Sequence, residues 1–356
     1  MAQLDPDFWR GRRVLVTGSS GFKGAWLSLL LRRLGAEVTG LSLQPPTEPS
    51  LFQLVSVADQ IDQHVGDVRD AKWLRSVVDE ARPELVFHLA AQALVLEGFA
   101  DPIGTYASNV MGTVHLLQAL RTQESARVLV NVTTDKVYAS GDGRPHPEDD
   151  RLGGAGPYSA SKVCSEVVTE AAASWAKQRG LAVATARSGN TLGGGDWAAN
   201  RLVPDCVRAA ASGGSLAIRH PGAVRPWQFV LDSLAGYILL AESLAADPER
   251  FEGAWNFAPP PFHEPPVHEL ASAVLTGLGA APATIEEQRG APPEAAVLRL
   301  DSAKARAELG WRPQLDWRAC VEWTVAWYRG WLDGDDLEAL TSAQLDRYLD
   351  MHSRQP

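Results

Sequence analysis

The sequence predicts an α/β fold: a doubly wound, mostly parallel sheet with a smaller C-terminal lobe of helices and loops. Three observations predict it. Short apolar runs alternate with helical patterns over the first half of the 356 residues, the order of successive βαβ units. The runs are continuously apolar rather than alternating, as strands covered on both faces are. A glycine-rich turn, Thr17-Gly-Ser-Ser-Gly-Phe-Lys-Gly24, separates the first run from the first helical stretch.

The elements follow in order. Residues 13–17 read as the first strand and 21–34 as the helix after the turn. Residues 37–43 form the second strand, 62–67 the third and 85–90 the fourth. A helical stretch at 103–122 leads to the fifth strand at 127–133. Residues 157–178 are helical, opened by a first-turn proline, Pro157. The sixth strand is 182–187. Beyond residue 190 the pattern loosens, and glycine and proline cluster at 193–195, 258–262 and 291–293. The expected division is therefore a parallel-sheet domain over 1–190, with further excursions from the C-terminal half, and a smaller lobe of helices and loops over 191–356.

Composition narrows the function. Lysine and arginine total 33 against 43 acids, a net charge of −10, which argues against a nucleic-acid partner. Three cysteines, Cys164, Cys206 and Cys320, form neither a disulfide framework nor a metal-binding spacing, so no metal is expected. They fit a reducing compartment. The N-terminus lacks a signal-peptide core, and no run approaches the length of a membrane span. The expectation is a cytoplasmic protein without a membrane partner. Of twelve tryptophans, five fall at positions 311, 317, 323, 327 and 331, read as a packed helical lobe or an interface.

The glycine turn is the first functional signal. Gly18, Gly21 and Gly24 are spaced three apart. The first permits a tight turn, the second a close approach of backbone to a pyrophosphate, and the third close packing of helix on strand. The helix N-terminus then presents free N–H groups to the phosphates. The second signal is Tyr158-Ser-Ala-Ser-Lys162. Residues i and i+4 share a helix face, so phenol and ammonium point into one site. A tyrosine near pKa 10 is a poor base, and an adjacent ammonium lowers it toward useful values.

These motifs resemble the extended short-chain dehydrogenase/reductase family, over residues 10 to about 330. The resemblance implies a Rossmann-type domain binding NAD through Gly18, Gly21, Phe22 and Gly24, with Tyr158 and Lys162 at the nicotinamide end. Gly66-Asp-Val-Arg-Asp70 matches the family's turn after the third strand and implies adenine contacts from Asp67 and Val68. His88-Leu-Ala-Ala-Gln92 matches the cofactor-lining segment and brings in Ala90 and Ala91. Asn109 stands at the family's helical asparagine. No acid or arginine follows the second strand, where Gly40-Leu-Ser-Leu-Gln-Pro-Pro46 leaves only Gln44 for the adenosine ribose.

The fifth strand ends in Val132-Thr-Thr-Asp-Lys-Val-Tyr138. Thr134-Asp135-Lys136 resembles the CDP-glucose 4,6-dehydratases within the family. Their chemistry needs two proton-transfer groups besides the oxidation machinery. A base removes the carbon 5 proton once carbon 4 is a ketone, and an acid protonates the departing carbon 6 hydroxyl. The resemblance casts Asp135 as acid, Lys136 as base and Thr134 as a partner of the carbon 4 oxygen. An Asp135–Lys136 ion pair would shift both the wrong way, so the two are expected apart in the active complex. The segments Arg187–Ala198, Arg201-Leu-Val-Pro204, Arg225-Pro-Trp-Gln228 and the later loop Gly253-Ala-Trp-Asn-Phe257 extend the resemblance. They imply Asn190, Arg201 and Arg225 as contacts of the sugar and diphosphate, with arginine suited to the latter; Trp197 or Trp227 either packs on the base or is a core residue.

The departures from that pattern are Leu96, Gly98, Phe99, Phe229, Ala296 and Val297. Each is expected to remove a polar group from the sugar or phosphate pocket. The expected activity is NAD-dependent 4,6-dehydration of a nucleotide sugar, CDP-glucose first, in deoxysugar or polysaccharide biosynthesis. The alternatives are an epimerase, a dehydratase for a different nucleotide sugar, and a non-catalytic cofactor-binding sensor or scaffold. By the same resemblance the helices near 103–122 and 158–178 form a homodimer interface.

Overall fold

Seven strands line up in one parallel sheet: β1 (Arg13–Thr17), β2 (Glu37–Ser42), β3 (Asp62–Val65), β4 (Leu85–His88), β5 (Val128–Val132), β6 (Ala182–Ser188) and β7 (Gly253–Phe257). The computed structural model describes residues 3–139, 143–260, 264–280, 285–287 and 296–353; part of the segments read at 258–262 and 291–293 lies outside them. The strand order is β3-β2-β1-β4-β5-β6-β7, with every neighbouring pair parallel. The chain therefore moves outward in one direction after β1 and in the other after β4. The carboxyl ends of β1 and β4 flank the crevice where such sheets bind ligands.

The buried strands alternate between two cores, as a period of two requires. Val14, Val16, Phe87, Val128, Val130, Ala182 and Ala184 face one cluster, which includes helices α1 (Phe22–Arg33) and α5 (Val230–Ala246). Leu15, Val86, Leu129 and Val183 face the other, under α2 (Ala71–Ala81), α3 (Gly112–Leu120) and α4 (Pro157–Gln178). Asp70 caps α2 by accepting from the backbone N–H groups of Lys72 and Trp73. Helix α1 buries every residue from Gly24 to Leu31, because α5 packs against its outer side.

The C-terminal part shares the first core. Helices α6 (Trp317–Asp333) and α7 (Leu337–Ser353) deliver Trp323, Trp327, Tyr328 and Tyr348 into it. Trp26 of α1 donates to the Gly194 carbonyl at 3.0 Å, and Tyr348 donates to Asp232 of α5 at 2.8 Å. Among the described residues no helix is long and apolar enough to cross a membrane.

Two elements differ from the sequence reading. Gly253–Phe257 is not a loop but the seventh strand, paired with β6 from Gly253↔Ala184 to Phe257↔Ser188. The expected helix at 103–122 is interrupted: Pro102–Tyr106 and α3 are joined by a π turn at Ala107–Met111, which carries Asn109.

Candidate active site

The glycine turn follows directly from β1. Gly18 has φ +77°, and a Cβ there would lie 2.8 Å from the Ala90 nitrogen, so only glycine lets β1 and the segment after β4 approach. A Cβ on Gly24 would run into the Gly18 carbonyl, with Gly18 C at 2.7 Å and Ser19 Cα at 2.9 Å. Gly21 differs: it is the N-cap of α1 with φ −75° and ψ 164°, and its Cβ would meet only the Gly18 oxygen, at 3.3 Å. The space over Gly21 is thus open at an uncapped helix N-terminus, the cradle a pyrophosphate requires. The residues present fit a dinucleotide.

The neighbouring turns are tied by buried hydrogen bonds. Thr17 Oγ1 lies 2.7 Å from His88 Nδ1 and accepts from the Ala90 N–H at 3.2 Å. Burial, then the Lys162 charge, push His88 down to about 3, so it is neutral. Asn109 accepts from the Gln92 N–H at 2.8 Å and donates to the Gln92 carbonyl at 3.0 Å and to Ser161 Oγ at 2.8 Å. Through those bonds the π turn ties the segment holding Ala90 and Ala91 to α4. Asp67 bonds Arg69; burial pulls its carboxyl up, but the Arg69 hydrogen bonds outweigh this and hold it below the usual range. Val68 is buried against Gly112, and Phe22 packs on the first core. At the end of β2, Gln44 is exposed. Ser19, Ser42 and Gln63 hydrogen-bond one another there: Ser19 Oγ donates to Gln63 Oε1 at 2.8 Å, and Gln63 Nε2 to Ser42 Oγ at 3.1 Å.

Tyr158 and Lys162 lie on the buried face of α4. Lys162 Nζ donates to the Val132 carbonyl at 3.0 Å. Burial lowers it to about 8, with the Glu166 charge opposing. Tyr158 runs against the sequence expectation: burial raises its phenol above the ordinary value, and the pull downward comes first from Lys136, then from a hydrogen bond with Thr134. Helix and strand end therefore meet at the phenol. Asp135, 1% exposed, accepts on Oδ1 from Thr134 Oγ1 at 2.9 Å and from Lys136 Nζ at 3.3 Å. Asp135 is thus in contact with Lys136 in this structure. Its other oxygen, Oδ2, is buried with no hydrogen-bond partner, as is Asn190 Oδ1.

Lys23, inside the glycine turn, was not singled out by sequence. It donates to Ser188 Oγ at 2.7 Å and to Tyr237 OH at 3.3 Å. Burial lowers it to about 7, and the charges of Arg201, Lys162 and Lys136 add to this while Asp135 opposes. Lys23, Lys136, Lys162 and Arg201 thus share one electrostatic neighbourhood with Asp135 and Tyr158. Arg201 pairs with Asp196 at 3.0 Å. Arg225 is buried, donating to the Val224 carbonyl at 2.9 Å.

Two aromatic residues of the predicted pocket lie in the core. Trp197 is a core residue, its ring 4.6 Å from Trp331 and 5.2 Å from Tyr328, so neither neighbour leaves it as an open stacking face. Phe229 is fully buried, edge-on to Trp323 at 5.4 Å. It fills the core instead of lining a sugar pocket.

Residues 15–324 match the GDP-mannose 4,6 dehydratase family, and the chain belongs to that family. It is 39% identical over 362 residues to the CDP-glucose 4,6-dehydratase of Salmonella typhimurium, covering 99% of this chain and 100% of that one. The UDP-glucose 4-epimerase of Mycolicibacterium smegmatis is 29% identical, covering 89% and 98%. Among solved structures, a dTDP-glucose 4,6-dehydratase from Streptomyces venezuelae with NAD bound superposes with a TM-score of 0.76 at 28% identity, covering 92% of this chain and 99% of that one. The Thermus thermophilus UDP-glucose 4-epimerase in complex with NAD gives 0.77 at 26%, covering 89% and 99%.

Proposed function

We propose that the protein catalyses NAD-dependent 4,6-dehydration of a nucleotide sugar, with CDP-glucose as substrate. The observation that carries this is the meeting of Tyr158 with Thr134, Asp135 and Lys136, which joins oxidation and elimination groups in one site. The 39% identity, over nearly the whole of both chains, to a CDP-glucose 4,6-dehydratase supports the choice of sugar nucleotide.

NAD would be held by Gly18, Gly21, Phe22 and Gly24 at the pyrophosphate, by Asp67, Val68, Ala90 and Ala91 toward the adenine, and by Lys162 at the nicotinamide ribose, with Asn109 bracing the site. Bound there, it supplies the acceptor for the carbon 4 hydride and the donor that returns it to carbon 6. Tyr158 takes the carbon 4 hydroxyl proton, and Thr134 bonds the same oxygen. Lys136, once parted from Asp135, removes the carbon 5 proton, Asp135 protonates the carbon 6 hydroxyl as it departs as water, and Lys136 returns its proton to carbon 5 as hydride is returned to carbon 6. Asn190, Arg201 and Arg225 are assigned to sugar and diphosphate. In this reading residues 1–190 carry the cofactor and 191–356 the substrate.

Phe99, Ile103, Tyr106, Met111 and Val167 are large, exposed apolar side chains on the helices around 95–120 and on α4. We assign that stripe to a homodimer interface. Three free cysteines fit a cytoplasmic enzyme.

The test is incubation with CDP-, UDP-, dTDP- and GDP-sugars and catalytic NAD, followed by mass spectrometry. Loss of one water from CDP-glucose is the expected result. Loss from another sugar nucleotide corrects the substrate. Unchanged mass throughout, with NAD shown to bind, refutes dehydration.

A further inference from the structure

The side chains that react have little fixed support of their own. Lys136 is partly exposed and its ammonium touches Asp135; Asp135 leaves one oxygen unpaired. Groups that must give and take protons cannot also be locked, so their placement has to come from the backbone on either side.

That backbone is tied at both ends to one buried ion pair. Glu166 is 4% and Arg187 3% exposed. Glu166 Oε1 accepts from Thr133 Oγ1 and, at 2.9 Å, from Arg187 Nε; Oε2 accepts from Thr185 Oγ1 at 2.6 Å and from Arg187 Nη2 at 3.0 Å. Thr133 immediately precedes the reacting segment. Arg187 Nη1 donates to Tyr138 OH at 2.7 Å, and the guanidinium lies 5.0 Å from the Tyr138 ring centroid. Tyr138 closes the segment, and its own hydroxyl donates to Asn256 of β7 at 2.7 Å. Glu166 also stands four residues beyond Lys162 and eight beyond Tyr158, on the same buried face of α4. The pair therefore bridges the helix that carries the phenol and the segment that carries acid and base.

We propose that Glu166 and Arg187 are positioning residues that hold the Thr134–Lys136 backbone in register with Tyr158 and Lys162 through both oxidation and elimination. The inference rests on the dehydratase reading for its kinetic consequence, but its structural consequence is independent of substrate.

The variants Thr133→Val and Tyr138→Phe, single and combined, cut the ties and leave the ion pair intact. In the full chain without substrate, hydrogen exchange of the Thr134–Val137 amides is expected to speed up, with α4 beyond Glu166 unchanged. In turnover, product formation is expected to fall between about 10- and 100-fold in kcat, the scale of a misplacement near 1 Å, with KM little changed. Formation of reduced nicotinamide and exchange of the carbon 4 hydride persist, so the oxidised-sugar intermediate accumulates. Unchanged exchange at Thr134–Val137 overturns the proposal. So does a parallel fall of both half-reactions with a lowered melting temperature, the signature of a pair that only stabilises the fold. If the wild type dehydrates no sugar nucleotide, the functional reading fails, and the exchange measurement still decides the clamp.

Discussion

Gly21→Ala separates the ligand role of the glycine turn from its structural role. The backbone at Gly21, φ −75° and ψ 164°, suits any L-residue, and the new Cβ meets only one atom, at 3.3 Å. The fold should absorb it, with folding stability changed by less than about 1 kcal/mol. The methyl occupies the space over the helix N-terminus instead. If a pyrophosphate belongs there, one charge-assisted hydrogen bond is lost or stretched, roughly 1.5–3 kcal/mol, or about 10- to 150-fold in NAD affinity. Gly24→Ala is the contrast. Its Cβ would lie 2.7 Å from Gly18 C, where ordinary contact begins at 3.4 Å; the turn must yield by at least about 0.7 Å, and both stability and binding should drop. Calorimetric titration with NAD and thermal unfolding read the two quantities separately. A Gly21→Ala protein that binds NAD like the wild type would refute placement of the pyrophosphate over Gly21.

Further outcomes follow from the same geometry. Tyr158→Phe should abolish carbon 4 oxidation while sparing NAD affinity, seen as no reduced-nicotinamide absorbance in a protein that still titrates with cofactor. Lys136→Ala should slow elimination, leaving carbon 4 hydride exchange measurable; full dehydration would remove its assignment as base. Lys136 also pulls the Tyr158 phenol down, so oxidation in this variant should need higher pH. His88 binds no proton in the fold until about 3, whereas the unfolded chain takes one near 6.5. Its contribution is present above about 6.5 and lost as pH falls, at roughly 1.4 kcal/mol per unit. His88→Asn should flatten the difference in unfolding free energy between pH 7 and pH 5.5 by about that amount.

Most of the sheet was legible because its strands are buried on both faces, which writes continuous apolar runs into the chain; β5 and β6 are buried at every residue. Strand β7 was not legible. Five residues opened by Gly253 and interrupted by Asn256 carry no run, and that strand is fixed by pairing with β6 and by the ties of Asn256 to His146 and Asp301. The π turn left no signal, since its residues keep helical spacing. Tyr158 and Lys162 declared themselves by spacing. Glu166 stood one turn further along the same helix, but its meaning depends on Arg187, 21 residues away on another element.

The packing also changes what the departures from the dehydratase pattern mean. Phe229 faces Trp323 in the core, so its loss of polarity costs the pocket nothing. A Cβ on Gly98 would lie 3.1 Å from the Tyr158 nitrogen; glycine there lets residues 95–100 close on the first turn of α4. A Cβ on Gly156 would lie 2.7 Å from the ring of Phe99, so that ring covers the N-cap of the same helix. Positions 98 and 99 thus set how the Tyr158 helix begins, beside the exposed Ile103 and Tyr106. Ala296 uses backbone: its carbonyl accepts from the Val224 N–H at 2.9 Å and from Arg225 at 3.5 Å, and Val297 bridges to Val224. Their side chains are not what hold Arg225. Five of the six departures therefore carry packing or backbone roles. Leu96 is the position left to alter sugar recognition directly. Its replacement by arginine should change KM for the sugar nucleotide and leave NAD affinity untouched, and an unchanged KM would return the choice of substrate to Asn190, Arg201 and Arg225.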